Sequence, residues 1–159
     1  IYTLQEKAGG RVLCSGKEGG ATVPGALIVR GEFAEQNPDL VARFLAVYLR
    51  GWKWAAANRG EAIAMMKKFY EQGGVSISEA SMKAEFDTRP TFDLAQQIAK
   101  MDRARGASEM DGWFNDIANF MRGTGAIQAV PGANDYITDA FMKRVAADPK
   151  LRDFANRSN

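Results

Sequence analysis

Two short irregular stretches hold the residue types best suited to chemistry. Asp87-Thr88-Arg89-Pro90-Thr91-Phe92 joins a guanidinium, two hydroxyls and an aromatic ring. Its proline keeps the preceding residue out of the helical region. An arginine in such a loop can hold an anion through two parallel hydrogen bonds, so Arg89, Thr91 and Phe92 are candidate ligand contacts. The second stretch is Thr22-Val23-Pro24-Gly25-Ala26. Glycine there lets a ligand come close to backbone N–H groups, which makes Val23, Gly25 and Ala26 candidates too. Each stretch has a plainer reading, as a connector between helices and as a surface or hinge-side loop, and the residues alone leave both open.

Catalysis is poorly provided for. The chain has no histidine and one cysteine, Cys14. That excludes histidine triads, HExxH zinc sites and imidazole acid–base work. It also excludes an intrachain disulfide and a cysteine zinc cluster. Glu32 with Glu35, or Asp111 with Asp116, are the nearest approach to paired acids. Helix caps and solvated faces explain them better than acid–base chemistry. No catalytic residue, metal ligand or cofactor is therefore assigned, and the expectation is a binder rather than an enzyme. Gly16, Gly19 and Gly20 suggest a phosphate loop, but the GxxxxGK[ST] spacing is missing. Trp52 and Trp54 with Arg50 and Lys53 resemble an aromatic–basic patch. Helical spacing instead puts Trp52 on a core stripe and Trp54 on a second packing surface, so no nucleic acid is expected. The seven methionines read as core filler.

The elements that must position these residues are mostly helices. With 159 residues, 46% apolar and 25% charged, the chain has the composition of a globular domain with a real core. Its net charge of +2 points to no polyanion. Ile1–Lys7 reads as the tail of a helix that stops at Gly9-Gly10. Arg11–Cys14 and Ala26–Val29 read as short strands around a glycine-rich loop. Asn37-Pro38-Asp39 has the chemistry of a helix start. Leu40, Val41, Phe44, Leu45, Tyr48, Trp52, Ala55 and Ala56 then recur on one wide stripe. Gly51 inside that helix suggests a close approach by a neighbouring element. A second helix opens at Glu61 and ends at Gly73-Gly74.

A capping box at Ser76 and Glu79 begins a third helix, through about Glu85. Further helices are expected over Asp93–Arg105, from a Ser108/Asp111 cap to Met121 with Gly123 as stop, from Asn134 or Asp135 through Val145, and from Asp148-Pro149 to the end.

The stretch RGEFAEQNPDLVARFLAVYLRGWKWAAANRGEAIAMM resembles the C-terminal half of a solute-binding protein of an ABC importer. The group is the nitrate/sulfonate/taurine type, which includes binders of thiamine-pyrimidine precursors. Phe33, Ala34, Asn37, Pro38, Asp39, Val41, Phe44, Leu45, Trp54, Asn58, Glu61 and Ala62 carry the likeness. It is specific over residues 24–63 and loose after about residue 75. The resemblance implies an α/β class, as the C-terminal portion of a type II periplasmic-binding-protein-like two-lobed fold. This chain itself would be mostly α, with two or three short strands. Residues 1–25 would end the second lobe and form a hinge-side loop. Residues 26–159 would be the hinge return strand and the C-terminal helices packing on the first lobe.

The resemblance further implies a small anionic or zwitterionic solute held in an inter-lobe cleft. The implied partners are the membrane permease subunits and the remaining N-terminal part of the same protein, in the periplasm or lipid-anchored outside the cell. The 22–26 and 87–92 stretches would then lie beside that cleft. Two alternatives stay open: a thiamine-pyrimidine synthase-like enzyme of the same fold, and a helical interaction module without a small ligand.

Overall fold

The computed structural model describes residues 2–16 and 18–158. Its secondary structure is helical. The elements are α1 (Tyr2–Ala8), α2 (Gly31–Gln36), α3 (Pro38–Ala57), α4 (Arg59–Gln72), α5 (Glu79–Thr88), α6 (Leu94–Lys100) and α7 (Glu109–Gly123). A 3-10 turn at Ala133–Asp135, α8 (Ala140–Ala147) and α9 (Pro149–Ala155) complete the order.

Helix α3 is the centre. Val41, Ala42, Leu45, Ala46 and Leu49 are buried along one side of it. They meet Met142 and Val145 of α8 and Ala155 of α9, with Leu94 of α6 and Ala34 of α2 closing the same core. The small residues Ala42 and Ala46, both fully buried, let α8 and α9 come close to the α3 backbone. A second, smaller cluster forms where α4 meets α5, around Ala62, Ile63 and Met82. Helix α1 lies on α5, where the Tyr2 hydroxyl shares a 2.6 Å hydrogen bond with that of Thr88 and Ser81 Oγ donates to Glu6 at 2.7 Å.

Several helix ends are as the residue types predict. Gly9 and Gly74 adopt φ of 63° and 76° just beyond α1 and α4, where the chain turns left-handed and glycine is unstrained. Asp148 caps α9 by accepting from the Lys150 and Leu151 amides, with Pro149 in the first turn. Ser108 and Asp111 form a reciprocal capping box at the start of α7.

Other expectations are corrected. Arg11–Cys14 and Ala26–Val29 form no strand, and no strand occurs among the described residues. A strand exists only through its ladder partners, and these runs find none here. Leu13 is 98% exposed and Ile28 95%. Between Ala26–Val29 and the start of α3, residues 31–36 form a short helix, α2. Asn37 stands at the start of α3 but leaves its cap unused: its side-chain amide donates back to Phe33 O at 3.1 Å, closing the end of α2. The α5 cap is Ser78, whose hydroxyl accepts from the Ser81 amide at 3.1 Å, rather than Ser76. Helix α4 begins at Arg59, before Glu61.

Helix α6 ends at Lys100, well short of Arg105, because Met101 leaves helical geometry. Helix α7 runs through Gly123 to a Thr124 cap, and the left-handed glycine is Gly125. Asn134 and Asp135 make only a 3-10 turn, and the next helix starts at Ala140. Gly51 meets no neighbouring element: a Cβ placed there finds no atom within 4 Å beyond the adjoining backbone of its own helix. The broad stripe on α3 is likewise only half covered. Leu40 and Phe44 remain 54% and 56% exposed. Ile1 and Lys17 lie outside the described residues, so the helix start and the loop lysine read from them are not described.

Candidate functional site

The candidate residues from the two irregular stretches are not drawn together. Val23, Gly25 and Ala26 lie exposed in the extended arm between α1 and α2. Among the described residues, no hydrogen bond, ion pair or ring contact links them to Arg89, Thr91 or Phe92. Arg89 is exposed and already paired with Glu85, one turn back on α5. Thr91 is exposed.

Phe92 is the member of the set that the fold engages. Its ring stacks on Trp113 of α7, with centroids 6.4 Å apart and planes inclined by 25°. The Lys100 ammonium lies 4.7 Å from the Phe92 centroid and 5.0 Å from that of Trp113. It also donates to Glu109 at 2.9 Å. Two ring faces and a carboxylate thus surround one cation, an arrangement favoured by the negative potential of aromatic faces. It is built by the order of elements. Asp93 and Gln96 cap α6 reciprocally, fixing where Phe92 enters. One turn further, Gln97 donates from its side chain to Phe92 O at 2.9 Å. Periodicity marks Trp113 as an inward residue of α7 but carries no sign that Lys100 would meet it.

Beside this cluster, the α6–α7 connection contributes an arginine to a largely buried ion pair. Arg103 donates through Nε and Nη2 to the two oxygens of Asp111, and through Nη2 to Ile137 O at 3.2 Å. Asp111 is 3% exposed and also accepts from the Ser108 amide at 2.8 Å. The hydrogen bonds from Arg103, reinforced by those from Ser108, outweigh burial and hold the Asp111 carboxyl at about 2. The capping role expected of Asp111 is present. Its arginine partner, eight residues earlier in a loop, follows no helical spacing, so residue order alone does not reveal it.

An open cleft of about 410 Å³ borders this pair, lined by Arg103, Gly106, Ala107, Asp111, Asn115 and Asn134, among others. A second open cleft, about 270 Å³, runs between α4 and α5 past Lys67, Lys68, Glu71 and Glu79. Neither contains a candidate residue from the irregular stretches. Among the described residues, no three side chains of histidine, cysteine, aspartate or glutamate are grouped so as to hold a metal ion. Cys14 is exposed. Among the described residues, no helix is long and apolar enough to cross a membrane.

A family model described as NMT1/THI5 like matches residues 18–62, the segment from the arm through α3 to the start of α4. A Brucella abortus (strain 2308) protein named as a binding protein is 23% identical over 124 residues, which cover 77% of this chain and 36% of that protein. A Bacillus subtilis (strain 168) protein that carries an aliphatic sulfonates-binding name is 24% identical over 138 residues, covering 87% and 37%. A KsdD-like steroid dehydrogenase of Mycolicibacterium smegmatis is 30% identical over 132 residues, covering 80% of this chain and 22% of the dehydrogenase. The chain thus spans about a third of the binding proteins it matches, and less of the dehydrogenase. No solved structure matches it. The NMT1/THI5-like segment coincides with the residues that carry the resemblance to solute-binding proteins, and together with the binding-protein relatives it supports kinship with that family.

Proposed function

We propose that the chain is part of the solute-binding component of an ABC importer and has no catalytic activity of its own. The observation that carries this reading is the NMT1/THI5-like match over residues 18–62. The same segment holds the exposed arm with Val23, Gly25 and Ala26. The solute is a small anionic or zwitterionic molecule of the nitrate, sulfonate or taurine kind, held in a cleft between two lobes. Closure of the lobes stabilises the bound form, because contacts then come from both sides at once. The loaded protein delivers its solute to the permease from outside the cytoplasmic membrane. Val23, Gly25 and Ala26 offer backbone groups to the ligand from the arm, and Arg89, Thr91 and Phe92 border the same cleft. Arg89 already pairs with Glu85, so an anion held there shares or competes for the guanidinium's donors with that carboxylate.

The test is a thermal-shift and calorimetric screen of the product of the whole reading frame. The ligands are nitrate, taurine, longer aliphatic sulfonates, pyrimidines and aromatic acids. A saturable shift with one class supports the reading, and no response to any of them overturns it. The THI5-like description of the family favours one second reading, a pyrimidine-synthase-like enzyme. Stoichiometric iron in the purified product together with turnover would decide for that alternative.

A further inference from the structure

The open cleft beside Arg103 and Asp111 is made of parts that hold one another in place while their outward groups stay unused. Arg103 engages the Asp111 carboxylate and Ile137 O through Nε and Nη2. Its Nη1 makes no hydrogen bond among the described residues, and about a quarter of the side chain remains in water. Asn115 of α7 and Asn134 of the 3-10 turn line the same cleft. Neither makes a side-chain hydrogen bond among the described residues. Asn115 is half-buried, yet no buried side-chain nitrogen or oxygen among the described residues lacks a partner, so its amide stays open to solvent.

These groups are firmly placed. Phe114, next to Asn115, meets Tyr136, two residues beyond Asn134, edge to face at 5.9 Å. Arg103 joins Ile137 to α7 by bonding Asp111 at the same time. The Asp135 amide closes the 3-10 turn by donating to Gly132 O at 2.9 Å. At the rim, Gly106 has φ of 117°, a conformation open to glycine, and leaves the backbone bare there.

The charges of the cleft are already matched. Asp111 stays ionised far below neutral pH, because Arg103 and Ser108 donate to it. Arg103 balances that charge, and Asp139 lies close enough to act on the same guanidinium. An entering anion meets a neutralised arginine flanked by carboxylates, and an entering cation meets the guanidinium. What remains unused is uncharged hydrogen bonding: the N–H groups of Nη1, and a carbonyl and an NH₂ on each asparagine. Hydroxyl groups match this, since each one both donates and accepts and none brings a charge.

We propose that the cleft bounded by Arg103, Gly106, Asn115 and Asn134 binds a small uncharged polyhydroxylated molecule, a polyol or a short saccharide. Arg103 Nη1 donates to one hydroxyl, and the two amides bond those beside it. The volume of about 410 Å³ falls in the range of small-ligand sites, roughly 300–1,000 Å³. Because the groups are placed before the ligand arrives, little ordering opposes binding. None of the residues assigned to the solute cleft lines this one, so the inference does not rest on the transport reading.

The test titrates the isotope-labelled product of the whole reading frame with glycerol, myo-inositol, glucose and trehalose. Taurine and acetate serve as charged comparators. The expected result is a saturable shift of the Asn115 and Asn134 side-chain amide signals with at least one uncharged probe, at lower concentration than with either charged one. Asn115→Ala and Asn134→Ala each remove hydrogen bonds to neutral groups and weaken that binding about 3- to 10-fold. Neither asparagine is bonded within the fold, so both unfolding midpoints stay within about 2 °C of wild type. If Asn115→Ala does not fold, Asn134→Ala decides alone, because Asn134 is exposed. The proposal is overturned if no uncharged probe saturates these signals. Unchanged affinity in the asparagine variants overturns it, and so does tighter binding of taurine or acetate at the same signals. Taurine bound elsewhere leaves these signals unmoved, so this proposal and the transport reading fail separately.

Discussion

Arg103 Nε reaches Asp111 Oδ2 at 2.8 Å, and its Nη2 reaches Oδ1 at 2.6 Å. The Asp111 side chain is buried, while the Arg103 side chain keeps about a quarter of its surface in water. Removing the acid by Asp111→Ala also removes the α7 cap and strands the arginine. We expect a loss of about 2–4 kcal/mol in chemical denaturation. Asp111→Asn keeps the shape but not the charge, and should lose less.

The same carboxyl sets a pH dependence with a definite sign. Its folded pKa, about 2, lies below that of an unfolded aspartate. The unfolded chain therefore takes up the proton first as the solution is acidified. The stabilisation from Asp111 is complete above about pH 4 and disappears as pH falls toward 2. Denaturation curves at about pH 6, 4 and 2.5 should show wild type and Asp111→Asn converging at the acid end. Curves that stay parallel would mean the ion pair contributes nothing.

Lys100 ties the Phe92 connector to α7 through two rings and Glu109. Lys100→Met keeps most of the stem but removes the charge, and should destabilise by about 1 kcal/mol. Trp113 sits beside the ammonium, so the fluorescence of the native state should change as well, most simply read in a Trp52→Phe, Trp54→Phe background. A native spectrum that does not respond would place Lys100 away from the ring in solution.

The two serines before α5 offer a sharp contrast. Ser78→Ala loses the hydrogen bond from the Ser81 amide and should cost about 1 kcal/mol. Ser76 is exposed, and Ser76→Ala should be neutral within about 0.5 kcal/mol. Thermal midpoints of the two variants in one buffer decide it. The reverse order would restore the cap to Ser76.

Val145 has no exposed surface and packs where α8 meets α3. Val145→Ala leaves a void that its close-packed neighbours fill only partly, and should cost about 2–3 kcal/mol. A cost under about 0.5 kcal/mol would show that this core is loosely packed.

Helices with their own caps and periodic stripes are legible in the amino-acid sequence. Pro38, the Ser108–Asp111 box and Asp148-Pro149 are local signals: Pro38 takes the first position of α3, and local hydrogen bonds complete the other two. The expectations that fail depend on partners elsewhere. Ala26–Val29 has the residues of a strand, but strand residues reveal nothing about whether a neighbouring strand is present. Ser76 is followed three residues later by Glu79 and Ser78 by Ser81, so the capping-box pattern points to Ser76 although Ser78 makes the cap. The width of the α3 stripe is readable, but periodicity cannot say which of two apolar faces a given chain covers. In the candidate site, Phe92 is identifiable as an aromatic in a loop. Its lysine and tryptophan partners are not, because they converge from α6 and α7 at no fixed sequence spacing.

Helix α1 buries no residue, and side-chain hydrogen bonds hold it on α5, Tyr2–Thr88 and Glu6–Ser81 among them, with Ser78 also at the Glu6 carboxylate. Helix α3 carries the main core. The amides of the two helices should therefore exchange with deuterium on widely separated timescales. Those of α1 need only a local opening of small free energy, whereas those in the middle of α3 wait for global unfolding. Opening of α1 then leaves the α3–α8–α9 core contacts in place, so the two regions lose protection in separate steps.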